Sequence, residues 1–168
     1  LPSFEMVFRA YSPGVYSLAF RMLQQHEDAE EITQSVFLTL FESLRTFRFD
    51  SALQTWIHRI AVNAALSFIK KVAREREKAR QFAAEATPRN ESTTDLALEK
   101  ESRLLLIRDL LESIPIDYRV CLVLRSFEEM KYQEIADILR LNLNTVKARL
   151  KRAIEMLLAR KEEMNHDE

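Results

Sequence analysis

The chain has 168 residues, 47% hydrophobic and 30% charged, with one glycine, four prolines, one cysteine and a net charge of −1. A lone Gly14 cannot serve type I′ and II′ hairpins, a phosphate-binding loop or a dinucleotide-binding turn, which need positive φ or close approach to a ligand, so an all-α protein is expected. Cys121, being alone, excludes an internal disulfide framework and multi-cysteine zinc clusters, and between Val120 and Leu122 it reads as a small buried hydrophobe.

In chain order, Phe4, Phe8, Tyr11, Val15, Leu18 and Met22 recur at helical spacing and predict the apolar stripe of a first helix. Asp28, Glu30 and Glu31 then fall in the first turn of a second helix, where the helix dipole favours negative charge, and Ile32, Val36, Leu40 and Leu44 form its buried face. Residues 46–51 interrupt the pattern, with Asp50 or Ser51 available to cap a third helix that buries Leu53, Ile57, Ile60, Ala61 and Ala64. Residues 83–95 lose apolar periodicity and contain Pro88, Asn90 and several hydroxyl side chains, the composition of a flexible linker. A helix through Leu104, Ile107, Leu111 and Ile114 follows, stopped by Pro115, and then one over residues 119–127. Two shorter helices are expected over residues 133–139 and 145–158. The expected architecture is two small helical domains, 1–82 and 96–168, joined by the linker 83–95. No apolar run approaches the ~20 residues of a membrane span, and the start lacks a signal-peptide pattern, so a cytoplasmic location without membrane insertion is expected.

Near-neutral charge hides an uneven distribution. Lys70, Lys71, Arg74, Arg76, Lys78 and Arg80 make one basic stretch, and Lys147, Arg149, Lys151 and Arg152 another, balanced by acidic residues in 26–31 and 162–168. The second stretch lies on the later of two helices joined by a short turn, the arrangement of a helix-turn-helix. There Ile135, Ala136, Leu139, Val146, Leu150 and Leu157 are expected to point inward, with Ala136 small enough for a close helix crossing and Asn142 capping the second helix. Asn144, Thr145, Lys147, Ala148, Arg149, Lys151 and Arg152 then point outward. Arginine reads guanine, asparagine pairs with adenine and lysine neutralises phosphate, so this face suits duplex DNA; a merely solvated amphipathic helix is the alternative.

The stretches KYQEIADIL (131–139) and NTVKARLKR (144–152) resemble the C-terminal promoter-reading domain of bacterial extracytoplasmic-function sigma factors. DAEEITQSVF (28–37) and TWIHRIAVN (55–63) independently resemble the other domain of that family, in the same order. The resemblance implies a sigma-2-like bundle and a sigma-4-like helix-turn-helix domain. It also implies a transcription initiation factor that joins core RNA polymerase through the β′ clamp and β flap and recognises the −10 and −35 elements of promoter DNA. It implies aid in melting the duplex, and an anti-sigma factor as a further partner. No catalytic residue, metal or cofactor is expected.

Carried onto this chain, the family's clamp-binding surface corresponds to Glu30, Glu31, Gln34, Phe37 and Phe41, although the two phenylalanines equally suit a core. The −10 element corresponds to the third helix, with Trp56, Arg59 and Asn63 on one face and Lys70 and Lys71 further along, groups suited to a phosphate backbone and unstacked bases. A buried core role is the alternative for Trp56. The preceding loop, with Arg48, Asp50 and Ser51, corresponds to the family loop that captures a flipped base, whose extraction costs a few kcal/mol. The −35 element corresponds to residues 144–152. This chain departs from the family pattern in carrying Arg140 and Asn144 where many relatives have glycine, and Lys131 where a Ser or Thr cap is common; a non-glycine residue at positive φ is uncommon, and asparagine tolerates it better than arginine. Two rival functions remain: a sigma mimic that sequesters an anti-sigma factor without binding DNA, and a dimeric helix-turn-helix repressor. The first has no use for Lys147, Arg149 and Arg152, and the second none for the 28–37 motif.

Overall fold

Apolar spacings of three and four residues become seven α-helices in a computed structural model, which describes residues 3–47, 52–82 and 98–166 and has no strand among them. They are α1 (Phe4–Leu23), α2 (His26–Ser43), α3 (Leu53–Gln81), α4 (Leu98–Glu112), α5 (Ile116–Ser126), α6 (Tyr132–Leu139) and α7 (Leu143–His166), with a 3-10 turn at Leu44–Thr46. The expected linker 83–95 lies outside the described residues, as do Asp50 and Ser51; α3 starts after Ala52, which offers no side-chain cap. No helix among the described residues is long and apolar enough to cross a membrane.

Helices α1, α2 and α3 pack together around Leu18, Met22, Ile32, Val36, Leu40, Ile57, Ala61 and Val62, all buried. In the second half α5, α6 and α7 enclose Cys121, Val123, Leu124, Ile135, Ala136, Val146 and Leu150. Each fully buried Leu, Ile or Val contributes about 1.5–3 kcal/mol of transfer free energy, and these rows hold the bundles together. Two expectations about buried stripes fail at their ends. Phe8 is 43% exposed, and along α4 Leu104 and Ile107 are exposed while Leu111, near its end, and Ile114, just beyond it, are buried. Only the C-terminal end of α4 reaches the core, so among the described residues no helix covers the apolar row before it. The last helix also runs past the expected 145–158 to His166.

Local chemistry explains the helix ends. Ser3 Oγ accepts from the Met6 N–H at 3.3 Å and starts α1. At α6 only half a capping box forms: the Glu134 carboxylate accepts from the Lys131 N–H at 2.7 Å, whereas the Lys131 ammonium has no lone pair with which to reciprocate. Asn142 Oδ1 accepts from both the N–H (2.7 Å) and the hydroxyl (2.9 Å) of Thr145, the cap expected for α7. The single glycine takes no part in turning the chain, since Gly14 lies inside α1 and has no positive φ. Left-handed turns fall instead on Gln24 (φ 60), Glu129 (φ 54) and Arg140 (φ 55). Of the two expected glycine-like positions Arg140 is therefore left-handed, while Asn144 is an ordinary helical residue. Arg140 ends α6, and beyond it the Leu141 N–H reaches back to the Ala136 carbonyl at 2.9 Å. A β-carbon in this region costs about 1 kcal/mol. An Arg140→Gly chain is accordingly expected to gain about 0.5–1 kcal/mol of stability, seen as a higher urea midpoint; no gain would mean that Arg140 is unstrained.

The two halves touch. Helix α1 packs on α5, and Arg119, 9% exposed, sets its guanidinium between them. It donates to the carbonyls of Ile114 (3.0 and 3.2 Å), Met22 (3.2 Å) and Glu112 (3.4 Å). Burial pulls its pKa below the usual arginine value, with Glu112 opposing. Gln24 donates to the Arg21 carbonyl at 2.9 Å, so the open C-terminal carbonyls of α1 are capped by one residue of its own half and one of the other.

Candidate nucleic-acid interface

On α7 the expected outward set divides. Asn144, Lys147, Ala148, Lys151 and Arg152 are exposed, Arg152 also pairing with Glu155 at 3.2 Å. Thr145 is half-buried, with its hydroxyl taken by Asn142. Arg149 is drawn back: its side chain is only 28% exposed and Nη1 lies 3.7 Å from the Asp117 carboxylate on α5. It also stands beside the Cys121 thiol, whose pKa burial pushes up against the opposing pull of Arg149. The expectation of a freely outward Arg149 is therefore corrected. Position 149 follows buried Val146 by three and precedes buried Leu150 by one, which sets its stem at the edge of the packed face, where an acid from α5 meets it. A shallow depression in front of α7 is lined by Asn142, Asn144, Arg149 and Arg152 and, from α5, by Tyr118, which the helix-turn-helix pattern does not include.

On α3, Arg59 and Asn63 are exposed and share one face with Lys70, also exposed; Lys71 is exposed beside it. Trp56 is half-buried, its ring stacked on Phe47 at 4.7 Å, so one part packs while another remains at the surface. Arg48, Asp50 and Ser51 lie outside the described residues.

On α2, Glu30, Glu31, Gln34 and Phe41 are exposed, Phe41 by 63%. Phe37 is not part of that surface: it is 3% exposed, packed edge-on against Phe8 at 4.8 Å and Phe4 at 6.3 Å. The first turns of α1 lie over it, which helical spacing along α2 could not reveal. Leu38, 67% exposed, joins Phe41 as an apolar surface group that the polar stripe did not include. A larger one lies on α4, where Leu104, Leu105, Leu106 and Ile107 are all exposed. Four adjacent apolar residues point all round a helix, and that run was the available signal.

Residues 7–75 match the family described as Sigma-70 region 2, and residues 104–157 the one described as Sigma-70, region 4. The chain is 31% identical over 163 residues to the ECF RNA polymerase sigma-E factor of Escherichia coli strain K12, covering 92% of this chain and 84% of that one. It is 27% identical over 164 residues to the RNA polymerase sigma-H factor of Pseudomonas aeruginosa, with the same two coverages of 92% and 84%. Its fold is similar to that of the sigma factor RpoE from Bartonella quintana, solved in complex with the anti-sigma factor NepR. The TM-score is 0.62 at 20% identity, over 92% of this chain and 93% of that one.

Proposed function

Because this chain belongs to the extracytoplasmic-function family of RNA polymerase sigma factors and directs transcription initiation at promoters, we propose how its two halves divide that work. Residues 96–168 read the −35 element through α7, and residues 1–82 take the −10 element through α3. The observation that carries this reading is the face of α7: an amide, two lysines and an arginine, all exposed, on a helix whose start is fixed by the Asn142 cap. Lysines there neutralise phosphates, and Arg152, the Asn144 amide and, once it leaves Asp117, Arg149 can reach base edges. On α3, Trp56, Arg59 and Asn63, with Lys70 and Lys71, suit a separated strand, aided by Arg48, Asp50 and Ser51, which precede α3 in the sequence. Two weak contacts on one tethered chain reinforce each other through effective concentration, so neither patch has to be strongly basic.

Core polymerase is held through Glu30, Glu31, Gln34 and Phe41 against the β′ clamp and through the exposed apolar run of α4 against the β flap. Phe37 supports Phe41 from behind, through Phe4, whose ring stands edge-on to Phe41 at 5.2 Å and to Phe37 at 6.3 Å. An anti-sigma factor would cover these same surfaces. Run-off transcription with purified core polymerase and a promoter library tests the reading: promoter-selective initiation is expected, and capture of an anti-sigma factor with no initiation would select the mimic instead. In the same assay an Arg149→Ala chain is expected to lose about 1–3 kcal/mol at its cognate −35 element and less at scrambled sequences. An equal loss on all sequences would make Arg149 a phosphate contact.

A further inference from the structure

We infer that the turn between α5 and α6, backed by the acidic side of α6, is a built-in stand-in for nucleic acid that stands across an open cleft from the −10-reading face of α3 in the free chain. The inference rests on the proposed role of α3. Arg59 and Asn63 border an open cleft of about 850 Å³ whose opposite wall carries Glu128, Glu129, Glu134 and Asp137. Those four carboxylates, with Arg140 the one cation of that wall, put negative charge where a phosphate backbone would run. A strand entering the cleft meets like charge on that wall, and the basic face of α3 already has an acidic neighbour.

Two contacts hold the turn in place. His58 Nδ1, one helical position before Arg59, lies 3.1 Å from Glu128 Oε2, with the two side chains only 25% and 17% exposed. On the other side the Arg21 guanidinium of α1 stacks over the Phe127 ring, 4.4 Å from its centroid. The closed arrangement carries its own cost, because His58 Nε2 is buried without a hydrogen-bond partner in the structure. A contact that leaves a buried nitrogen unmatched is suited to reversible opening, so the acidic wall faces α3 in the free chain and withdraws when the halves part.

The full-length protein tests this through Arg21→Ala and Glu128→Gln, measured by fluorescence anisotropy with a labelled mixed-sequence single strand of about 20 nucleotides and by small-angle scattering. Arg21→Ala is the sharper variant, because removing a cation by itself weakens nucleic-acid binding whereas uncovering α3 strengthens it. Both variants are expected to bind about three- to tenfold more tightly than the parent, as the competent fraction rises, and to show a larger radius of gyration. Glu162→Gln, far along α7, removes the same charge as Glu128→Gln and is expected to leave affinity unchanged. Adding Arg59→Ala and Asn63→Ala to Arg21→Ala should abolish the gain. Unchanged size and unchanged affinity would overturn the covering contact itself. Expansion without tighter binding would overturn the inference through the reading of α3 on which it rests. A gain that survives loss of Arg59 and Asn63 would show that another face had been uncovered, and would overturn it as well.

Discussion

An Arg119→Met chain is expected to unfold at markedly lower urea, by about 2–4 kcal/mol, although methionine keeps much of the arginine stem's volume. The guanidinium donates to the carbonyls of Ile114, Met22 and Glu112, and its removal leaves those acceptors without their donor at a site where Arg119 is 9% exposed. A buried acceptor left unmatched costs about 1–3 kcal/mol. Relief from burying a charge offsets part of this, which keeps the expected loss below the sum over three carbonyls. Because Met22 belongs to α1 and Ile114 and Glu112 lie at the α4–α5 junction, the same variant loosens the two halves. Hydrogen exchange should therefore speed up at the C-terminal turn of α1 as well as around α5. A urea midpoint within experimental error of the parent would mean that water replaces all three donors, and that the halves do not meet there.

The second large effect is expected at Ala136. Its side chain is 1% exposed where α6 packs between α5 and α7, so there is no room for three more carbons. Ala136→Leu should cost about 2–3 kcal/mol by overpacking and tilt α6 away from α7. Recognition of the −35 element would fall with it, since the aim of α7 depends on that crossing. Ala136→Gly separates crowding from helix propensity, because it removes volume and costs about 1 kcal/mol through backbone entropy alone. Urea unfolding of both variants checks the assignment. A leucine variant no less stable than the glycine variant would show that the crossing is not close.

Much of the protein is legible in its sequence. Helix-period spacing located the seven helices to within a few residues at most ends, because amphipathic repetition is a local property that tertiary packing reinforces. The Asn142 cap and the buried Cys121 were equally readable, since the partners in each case lie within a turn or in the same apolar row. The left-handed Arg140 followed from a departure at a place where glycine is usual, but Asn144, singled out on the same ground, is helical. An asparagine tolerates both conformations, and its neighbours decide which one it takes.

Elsewhere the sequence left two answers open, and the neighbours chose. Phe37 and Phe41 both occupied the proposed clamp stripe, yet Phe4 and Phe8 bury the first and leave the second outside. Leu104 and Ile107 carried a core-like spacing with no core to meet, and Arg149 proved to be tethered to Asp117. The contact of Arg119 with Met22 joins residues 97 positions apart, and that of His58 with Glu128 crosses between the halves.

Length, a single glycine and two separated basic stretches thus determined by themselves an all-helical chain with its positive charge gathered in two places. Which of those charges stand free, and which already face an acid of the same chain, was decided by tertiary packing alone. Periodicity records how a helix divides its own surface, whereas burial and ion pairing depend on what another, distant segment sets against it.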